Sequence, residues 1–521
     1  MSNKSDTSTT LLKWHNFRIK IIFQGVLVGV FAGLLIVFYR YLVEKAFHVT
    51  TEGYAFLREN TQYIPIGIAI LVILGIIVGY LVEKEPMISG SGIPQVEGVL
   101  LRKLDMNWAR VITYKFFGGL IALAAGLSVG REGPSIQMGA AVGEGFTKLT
   151  KRPKIKEKYL ITAGASAGLA AAFNAPLAGV MFSLEEVHKN FSPIVLTTSL
   201  AASITSDFVS KHFFGLKPIF DFNITHSIPL KDYPYLLVLG IIIGFGGVLF
   251  NKGILTAQNL YGKQKVLSKK YWPIIPFILA GILGVYIPEV LGGGHELIVS
   301  LTHSTPIPLI SLVVVIIVKY LFTIISYGSA APGGIFLPLL VIGALIGAIY
   351  GIILSNYFGF SNTYIVNFII IAMAGYFTAV VKAPITGMVL LTEMTGSFSH
   401  LLSIAFVCII AYVITDLLNS EPIYESLFER VLSKSDNIFK GESNNKVIIE
   451  VPVCVESFLE DKKICQVDWP CSCLIAALKR GEKEIIPRGD TVIYAGDYLI
   501  VLANEDTASS IQECLTSFGS N

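Results

Sequence analysis

Three short stretches of the sequence combine glycine and proline inside apolar surroundings: Gly90-Ser-Gly-Ile-Pro94, Gly130-Arg-Glu-Gly-Pro134 and Gly334-Ile-Phe-Leu-Pro338. Each reads as a helix start. Glycine lets the backbone approach an ion, proline suits the first helical turn, and free N–H groups at the positive end of the helix dipole favour an anion. An anion that must also leave again is best held by donors without a full countercharge. The Ser91 hydroxyl and backbone N–H groups are such donors. Taken singly, any one stretch also reads as a Gly/Pro kink between packed helices; three in one chain point to an anion path.

Glu132 is an acid flanked by Gly130, Gly133 and Pro134 within an apolar segment, where an ionisable group is costly unless it has a function. A pair with Arg131 is one reading. Adjacent residues at a helix start point different ways, and a carboxylate there could occupy the anion site itself as a tethered competitor. Glu185 and Glu186 close another apolar stretch just before His188 and Lys189, and a solvated helix terminus is one reading of them. Glu393 reads as a residue that caps or braces helices, and Tyr424, past the last apolar stretch, as an interfacial anchor. Gly164-Ala-Ser-Ala-Gly168 matches the G-x-S-x-G pattern of a hydrolase nucleophile elbow. It lies among alanines with no strand before it, which suits close helix packing, and no enzymatic activity is expected.

The elements that must position these residues belong to a membrane bundle. The chain has 521 residues, of which 53% are hydrophobic and only 15% charged, with a mean hydropathy of +0.65; this is too apolar for a soluble globular protein of its size. Tyr63 to Val82 is a run of 20 residues without a charge, the length of one spanning helix at ~1.5 Å rise per residue. Further apolar stretches lie near 22–43, 193–206, 235–251, 272–288, 309–327, 336–355, 364–381 and 402–418, so about ten helices or more are expected, some broken. Irregular backbone at membrane depth is tolerated only when buried in protein or lining a wet cavity.

No signal peptide is expected, because the basic N-terminal segment runs into a long apolar stretch without a cleavage site. Lys13, Arg18 and Lys20, and the lysine-rich segments 148–158 and 263–270, fall in the cytosol by the positive-inside rule. A multi-pass protein of the cell membrane with both termini cytosolic is therefore expected. The net charge of +3 is too small to imply nucleic acid.

The hydrophobic pattern stops near Leu432, and a polar linker, 433–446, precedes a small soluble α+β module, 447–521. Val447–Val451, Leu474–Leu478, Thr491–Tyr494 and Tyr498–Leu502 read as strands, and Asp506–Leu515 as a closing helix. Five of the six cysteines lie here: Cys454, Cys465, Cys471, Cys473 and Cys514. Reduced thiols are expected in the cytosol. Their spacing fits no standard zinc pattern, so neither a metal nor another cofactor is expected.

Between residues 21 and 432 an internal repeat is present. Gly130, Pro134, Gly139, Ala140 and Gly143 reappear as Gly334, Pro338, Gly343, Ala344 and Gly347, while Ala171, Ala175, Pro176, Gly179 and Glu185 reappear as Ala379, Ala383, Pro384, Gly387 and Glu393. Two matches in the same order at nearly the same offset imply two homologous halves, roughly 21–215 and 216–432, after a cytosolic N-terminal segment, 1–20. Many transporters are built from such repeats, often inverted, with the substrate at the midplane.

Together these stretches resemble the CLC family of chloride channels and transporters, from about residue 20 to about residue 430. The resemblance implies an all-α polytopic fold of tilted and broken helices in an inverted repeat, followed here by the α+β module. It implies a homodimer with a separate pore in each subunit, and chloride held by Ser91, Tyr424 and the backbone N–H groups of Ile335 and Phe336. By the same likeness Glu132 is the gating glutamate, which swings aside when protonated, and Glu186 resembles the internal proton-relay glutamate of the exchangers. Glu132 without Glu186 would suggest a channel. Ser91 stands where nitrate-preferring relatives carry proline, and the motif lacks the asparagines of fluoride exporters, so chloride is the expected substrate and proton its exchange partner. A passive chloride channel and a membrane-anchored sensor are the alternatives.

The C-terminal module resembles the C-terminal subdomain of RCK potassium-transport regulators through Ile486-Pro-Arg-Gly-Asp490 and Ala495-Gly-Asp-Tyr-Leu-Ile-Val501. It departs from the commoner CLC arrangement, in which a paired CBS module follows or nothing does. Such subdomains dimerise in several bacterial proteins and bind cyclic di-AMP between subunits, which implies a second-messenger switch. Lys479 and Arg480 are then candidate phosphate contacts, and Ile485 and Ile486 candidate base contacts. A solvated basic turn, or a dimerisation module without ligand, is the alternative.

Overall fold

The structure, a computed structural model, describes residues 4–150, 154–189, 191–222, 227–302, 308–433, 446–454, 457–467, 469, 474–481, 483–504 and 515. The chain divides into two compact units, Met1–Asp436 and Asn437–Asn521.

The first unit is helical. Its first half holds α1 (Lys4–Glu59), α2 (Ile64–Lys84), α3 (Ile93–Leu100), α4 (Trp108–Ala124), α5 (Glu132–Leu149), α6 (Lys154–Phe173), α7 (Pro176–Phe182) and α8 (Pro193–Phe214). The second holds α9 (Tyr233–Lys263), α10 (Ile274–Tyr286), α11 (His295–Leu301), α12 (Leu309–Gly328), α13 (Phe336–Phe358), α14 (Ile365–Val381), α15 (Pro384–Thr395) and α16 (Leu401–Leu417), and α17 (Ile423–Ser433) closes the unit. Helix α1 starts at Lys4, so the polar residues 4–20 run without a break into the first apolar stretch.

Among the described residues six helical segments are long and apolar enough to cross a membrane. Others, such as α3, α7 and α11, are too short to do so at ~1.5 Å per residue. Large apolar side chains stand exposed along α1 (Phe23, Phe31, Phe38) and α2 (Ile66, Ile70, Ile73), the signature of a lipid-facing rim. By contrast α14 is buried from Asn367 through Val381. It forms the centre of the unit with α13, whose residues Phe336 to Leu345 are all buried.

The eight helices of the first half recur in order in the second, and the contacts between halves are reciprocal. Gly130 and Gly334 form an antiparallel bridge, each N–H donating to the other's carbonyl at 2.6 and 2.7 Å. Helices α7 and α15 both begin Ala-Pro with no cap from their own N-cap side chain. Each borrows a carboxylate from the other half: Glu393 accepts from the Leu177 and Ala178 N–H groups, and Glu185 from those of Ile385 and Thr386. An antiparallel lead-in with exchanged caps is what an inverted repeat produces. The G-x-S-x-G stretch lies within α6, where Gly164 and Gly168 meet the backbone of Gly139 and Ser135 on α5; Ser166 is buried in that packing.

The second unit carries β1 (Lys446–Pro452), β2 (Leu474–Arg480), β3 (Lys483–Ile485) and β4 (Asp497–Asn504). They form one antiparallel sheet in the order β1-β4-β2-β3. Val451, Leu478, Leu499 and Val501 point to a core shared with Leu459 and Ile493. The strand expected at Thr491–Tyr494 is absent: a turn at Gly489 and Asp490 precedes it, and only Val492 makes an isolated bridge, to Lys463. The sequence did not indicate the short charged edge strand β3. Nearly all of the linker 433–446 lies outside the described residues, as do Cys471, Cys473, Cys514 and the expected helix Asp506–Leu515 except Leu515.

Candidate anion and proton site

The N-termini of α5 and α13 are brought together by the Gly130–Gly334 bridge. The first closed helical bond of α5 runs from Ser135 N–H to Arg131 C=O at 3.0 Å, and that of α13 from Leu339 N–H to Ile335 C=O at 2.9 Å. The N–H groups of Glu132 and Gly133, and of Ile335, Phe336 and Leu337, therefore precede the ladder and are free to bind. Pro134 and Pro338 fill the third helical position, where an N–H would lack an intrahelical partner in any case.

Ser91 joins this junction because position 133 is glycine: a Cβ there would lie 2.8–3.0 Å from Ser91 atoms. The turn carrying Ser91 is fixed from behind by Lys115, whose side-chain nitrogen donates to the Ile88 and Gly90 carbonyls at 2.8 and 2.7 Å. The second half repeats the device, with Lys319 donating to the Val290 and Gly292 carbonyls at 2.9 and 2.7 Å. Both lysines are fully buried, and among the described residues neither has a carboxylate partner. Each ties two carbonyl oxygens of its turn to one buried side-chain nitrogen, which fixes the shape of the turn.

Tyr424, at the start of α17, is fully buried, and its hydroxyl has no hydrogen-bond partner among the described residues. It is therefore no interfacial anchor. Its ring packs edge-on to Phe182, which packs on Phe336; Phe173 and Phe377 complete the apolar wall around Phe336. Arg430 holds α17 in place by donating to Leu255 C=O and Asn259 Oδ1 on α9. Tyr424 lies within electrostatic reach of Tyr327, Glu186 and Glu132.

Glu132 is completely buried. A Cβ at position 130 would run into its Oε2 and lie 3.2 Å from the Leu337 nitrogen, which puts the carboxylate beside the free N–H groups of α13. Backbone N–H groups of Leu337 and of Glu132 itself face it without a fully formed hydrogen bond. Arg131 does not pair with Glu132. Its guanidinium goes to Glu44 at 2.6 Å, and Glu44 also takes Arg40 at 3.0 Å. Arg40, Glu44, Arg131, His295 and Leu337 line a cavity of about 770 Å³ that reaches Gly130 and so adjoins Glu132.

Glu186 lies on one wider π-type turn, Ser183–Val187, continuing α7, the kind of irregularity often found at functional sites. It is buried, with Oε1 unpartnered, whereas its neighbour Glu185 caps α15. The two adjacent acids thus do different work, and neither is a solvated terminus. Lys189 bridges to Glu97 at 2.9 Å and lies 3.8 Å from Glu425. His188 meets Thr162, in the middle of α6, at 2.9 Å. Lys115, Lys319, Glu97 and Tyr327 were not singled out by the sequence analysis; the two lysines were traceable as lone charges in apolar stretches, 204 residues apart (319 − 115).

In the second unit Arg480 forms a two-pronged pair with Asp497 at 2.8 and 2.7 Å, donates to Val492 C=O and lies over the Tyr494 ring. Hydrogen bonding to Asp497 raises the pKa of its guanidinium above its ordinary value. Lys479 is its neighbour on β2 and points to the opposite face of the sheet. Ile485 is half-buried at the core edge and Ile486 is exposed. The four residues thus do not converge on one surface within this unit.

Two inverted halves whose broken helices meet at unpaired donors define a membrane ion-transport protein. Residues 70–416 match the family described as voltage gated chloride channel, and residues 448–515 match the TrkA-C domain. The chain belongs to the voltage gated chloride channel family. It is 34% identical over 424 residues to the H(+)/Cl(-) exchange transporter ClcA of Vibrio cholerae serotype O1 (strain M66-2), covering 79% of this chain and 90% of that protein. To the ClcA of Salmonella gallinarum (strain 287/91 / NCTC 13346) it is 31% identical over 451 residues, covering 85% and 95%. The crystal structure of a slow cyanobacterial Cl-/H+ antiporter superposes with a TM-score of 0.76 at 28% identity, over 80% of this chain and 99% of that one.

Proposed function

We propose that this protein exchanges chloride for protons across the cell membrane. The observation that carries this reading is the place of the Glu132 carboxylate, buried against the free N–H groups of α13, where an anion would be held. Chloride is bound by Ser91, Tyr424 and the N–H groups of Ile335 and Phe336. Glu132 competes for the same donors and leaves them when protonated, so that chloride entry and proton uptake are linked. Glu186, buried and close enough to Tyr424 to act on it electrostatically, passes the proton to and from the cytosol. A buried second acid without a salt bridge among the described residues favours exchange over a passive channel. The membrane potential biases the cycle by about 2.3 kcal/mol per charge per 100 mV.

The lysine distribution supports cytosolic termini. The resemblance supports a homodimer, and the TrkA-C match supports control by a ligand of the cyclic di-AMP type. The test of exchange uses protein reconstituted in liposomes under an imposed chloride gradient. Uphill proton movement is expected; chloride flux without it would make the protein a channel, and no chloride flux at all would leave a sensor.

A further inference from the structure

Tyr327 is the next-to-last residue of α12, and the function proposed above gives it no part. It is buried, as is Ser91, and its hydroxyl donates to Ser91 Oγ at 3.4 Å. Its ring also packs on Gly90, whose left-handed backbone (φ +61°) sets the turn into Ser91: a Cβ at 90 would lie 3.2 Å from the Tyr327 oxygen. On the other side the Ile93 N–H donates to the same Ser91 Oγ at 3.4 Å.

A serine hydroxyl has one proton to donate and two lone pairs to accept with. At Ser91 both acceptor positions face donors, a phenol and a backbone amide. The only capacity left is the proton, which must point away from both and is free to donate to an anion. We propose that Tyr327 is a positioning residue that commits Ser91 to donate, so that the site recognises small ligands able only to accept hydrogen bonds. The phenol is a good donor, and a hydroxyl that accepts a hydrogen bond becomes a better donor in turn. Removing the phenol frees an acceptor lone pair on Ser91, lets its proton turn, and weakens the bond to the anion. This rests on the assignment of Ser91 to the chloride site.

The test is calorimetry of chloride binding to the full chain in detergent for wild type, Tyr327→Phe, Ser91→Ala and the double variant. Tyr327→Phe is expected to raise the chloride Kd about five-fold, the size of one buried hydrogen bond, with little change in melting temperature. In the Ser91→Ala background the same change is expected to have almost no effect, because Tyr327 acts through the serine. An equal loss in both backgrounds would mean that Tyr327 acts by packing or touches the anion itself, and would overturn the proposal. So would unchanged affinity in Tyr327→Phe when Ser91→Ala binds weakly. Wild-type affinity in Ser91→Ala would instead remove Ser91 from the site, and the proposal with it.

Discussion

A carboxylate buried beside unpaired backbone donors is tolerated because those donors do for it what they would do for an inorganic anion. Among the described residues Glu132 has no salt bridge to hold it there, since Arg131 is engaged by Glu44. The carboxylate can therefore be displaced once protonation removes its charge. Glu132→Ala is expected to abolish proton coupling while chloride flux persists, because a methyl group can neither carry a proton nor compete for the N–H groups. Liposomes monitored by chloride and pH electrodes give both rates, and coupling that survives the substitution would take Glu132 out of the cycle. Glu186→Gln should slow protons more than chloride in the same assay, because Glu186 is placed on the proton route; an equal fall in both fluxes would make its role structural. The junction that buries Ser91 and Glu132 was legible from the three glycine–proline stretches taken together, since each alone also reads as a kink between packed helices. Glu186 was set apart from Glu185 by the family resemblance and not by the local pattern of residues. The difference lies in a single wide turn that buries one acid and aims the other at α15. Tyr327 is invisible in sequence because an aromatic at a helix end is ordinary until its hydroxyl is seen to reach Ser91.

At the scale of elements, short helices that begin Ala-Pro and lack a cap of their own depend on the other half of the molecule. Glu393 supplies α7 with an acceptor for two N–H groups at 3.1 and 2.8 Å, and Glu185 does the same for α15 at 3.2 and 2.8 Å. Glu393→Ala is expected to cost about 1–2 kcal/mol of stability, the upper range for a lost N-terminal cap, with coupling of the folded protein unchanged. Thermal unfolding in detergent checks the first part and liposome flux the second; an unchanged melting temperature would show that solvent caps α7 equally well. The repeat behind this exchange was legible because its small residues are fixed by backbone contact, as where Gly139 meets Gly164 across α5 and α6, and such positions accept no larger side chain. The sheet of the second unit was read less completely. Lys483–Ile485 is a charged edge strand, and edges favour residues that carry little strand signal. Thr491–Tyr494 has strand-like composition, but the turn before it allows a single bridge.

For the whole molecule the open relation is between a transport unit complete in its own packing and a second unit with its own core. Everything assigned to chloride and protons lies between Arg40 and Arg430, within the first unit. A chain ending after Ser433 keeps α17 and Tyr424 and is expected to retain coupled exchange in liposomes. The full chain is expected to differ from it only in response to ligand. Titrating cyclic di-AMP into the full protein should release or absorb heat and change the exchange rate, whereas the shortened chain should do neither. Within one copy Arg480 is held by Asp497, and Lys479 points to the other face of the sheet. A dinucleotide would therefore need donors from two copies, so heat is expected only where the chain is dimeric. No heat from the full chain as a dimer would leave the second unit as a dimerisation module alone. Loss of exchange in a folded, shortened chain would instead make the sheet part of the transport machinery.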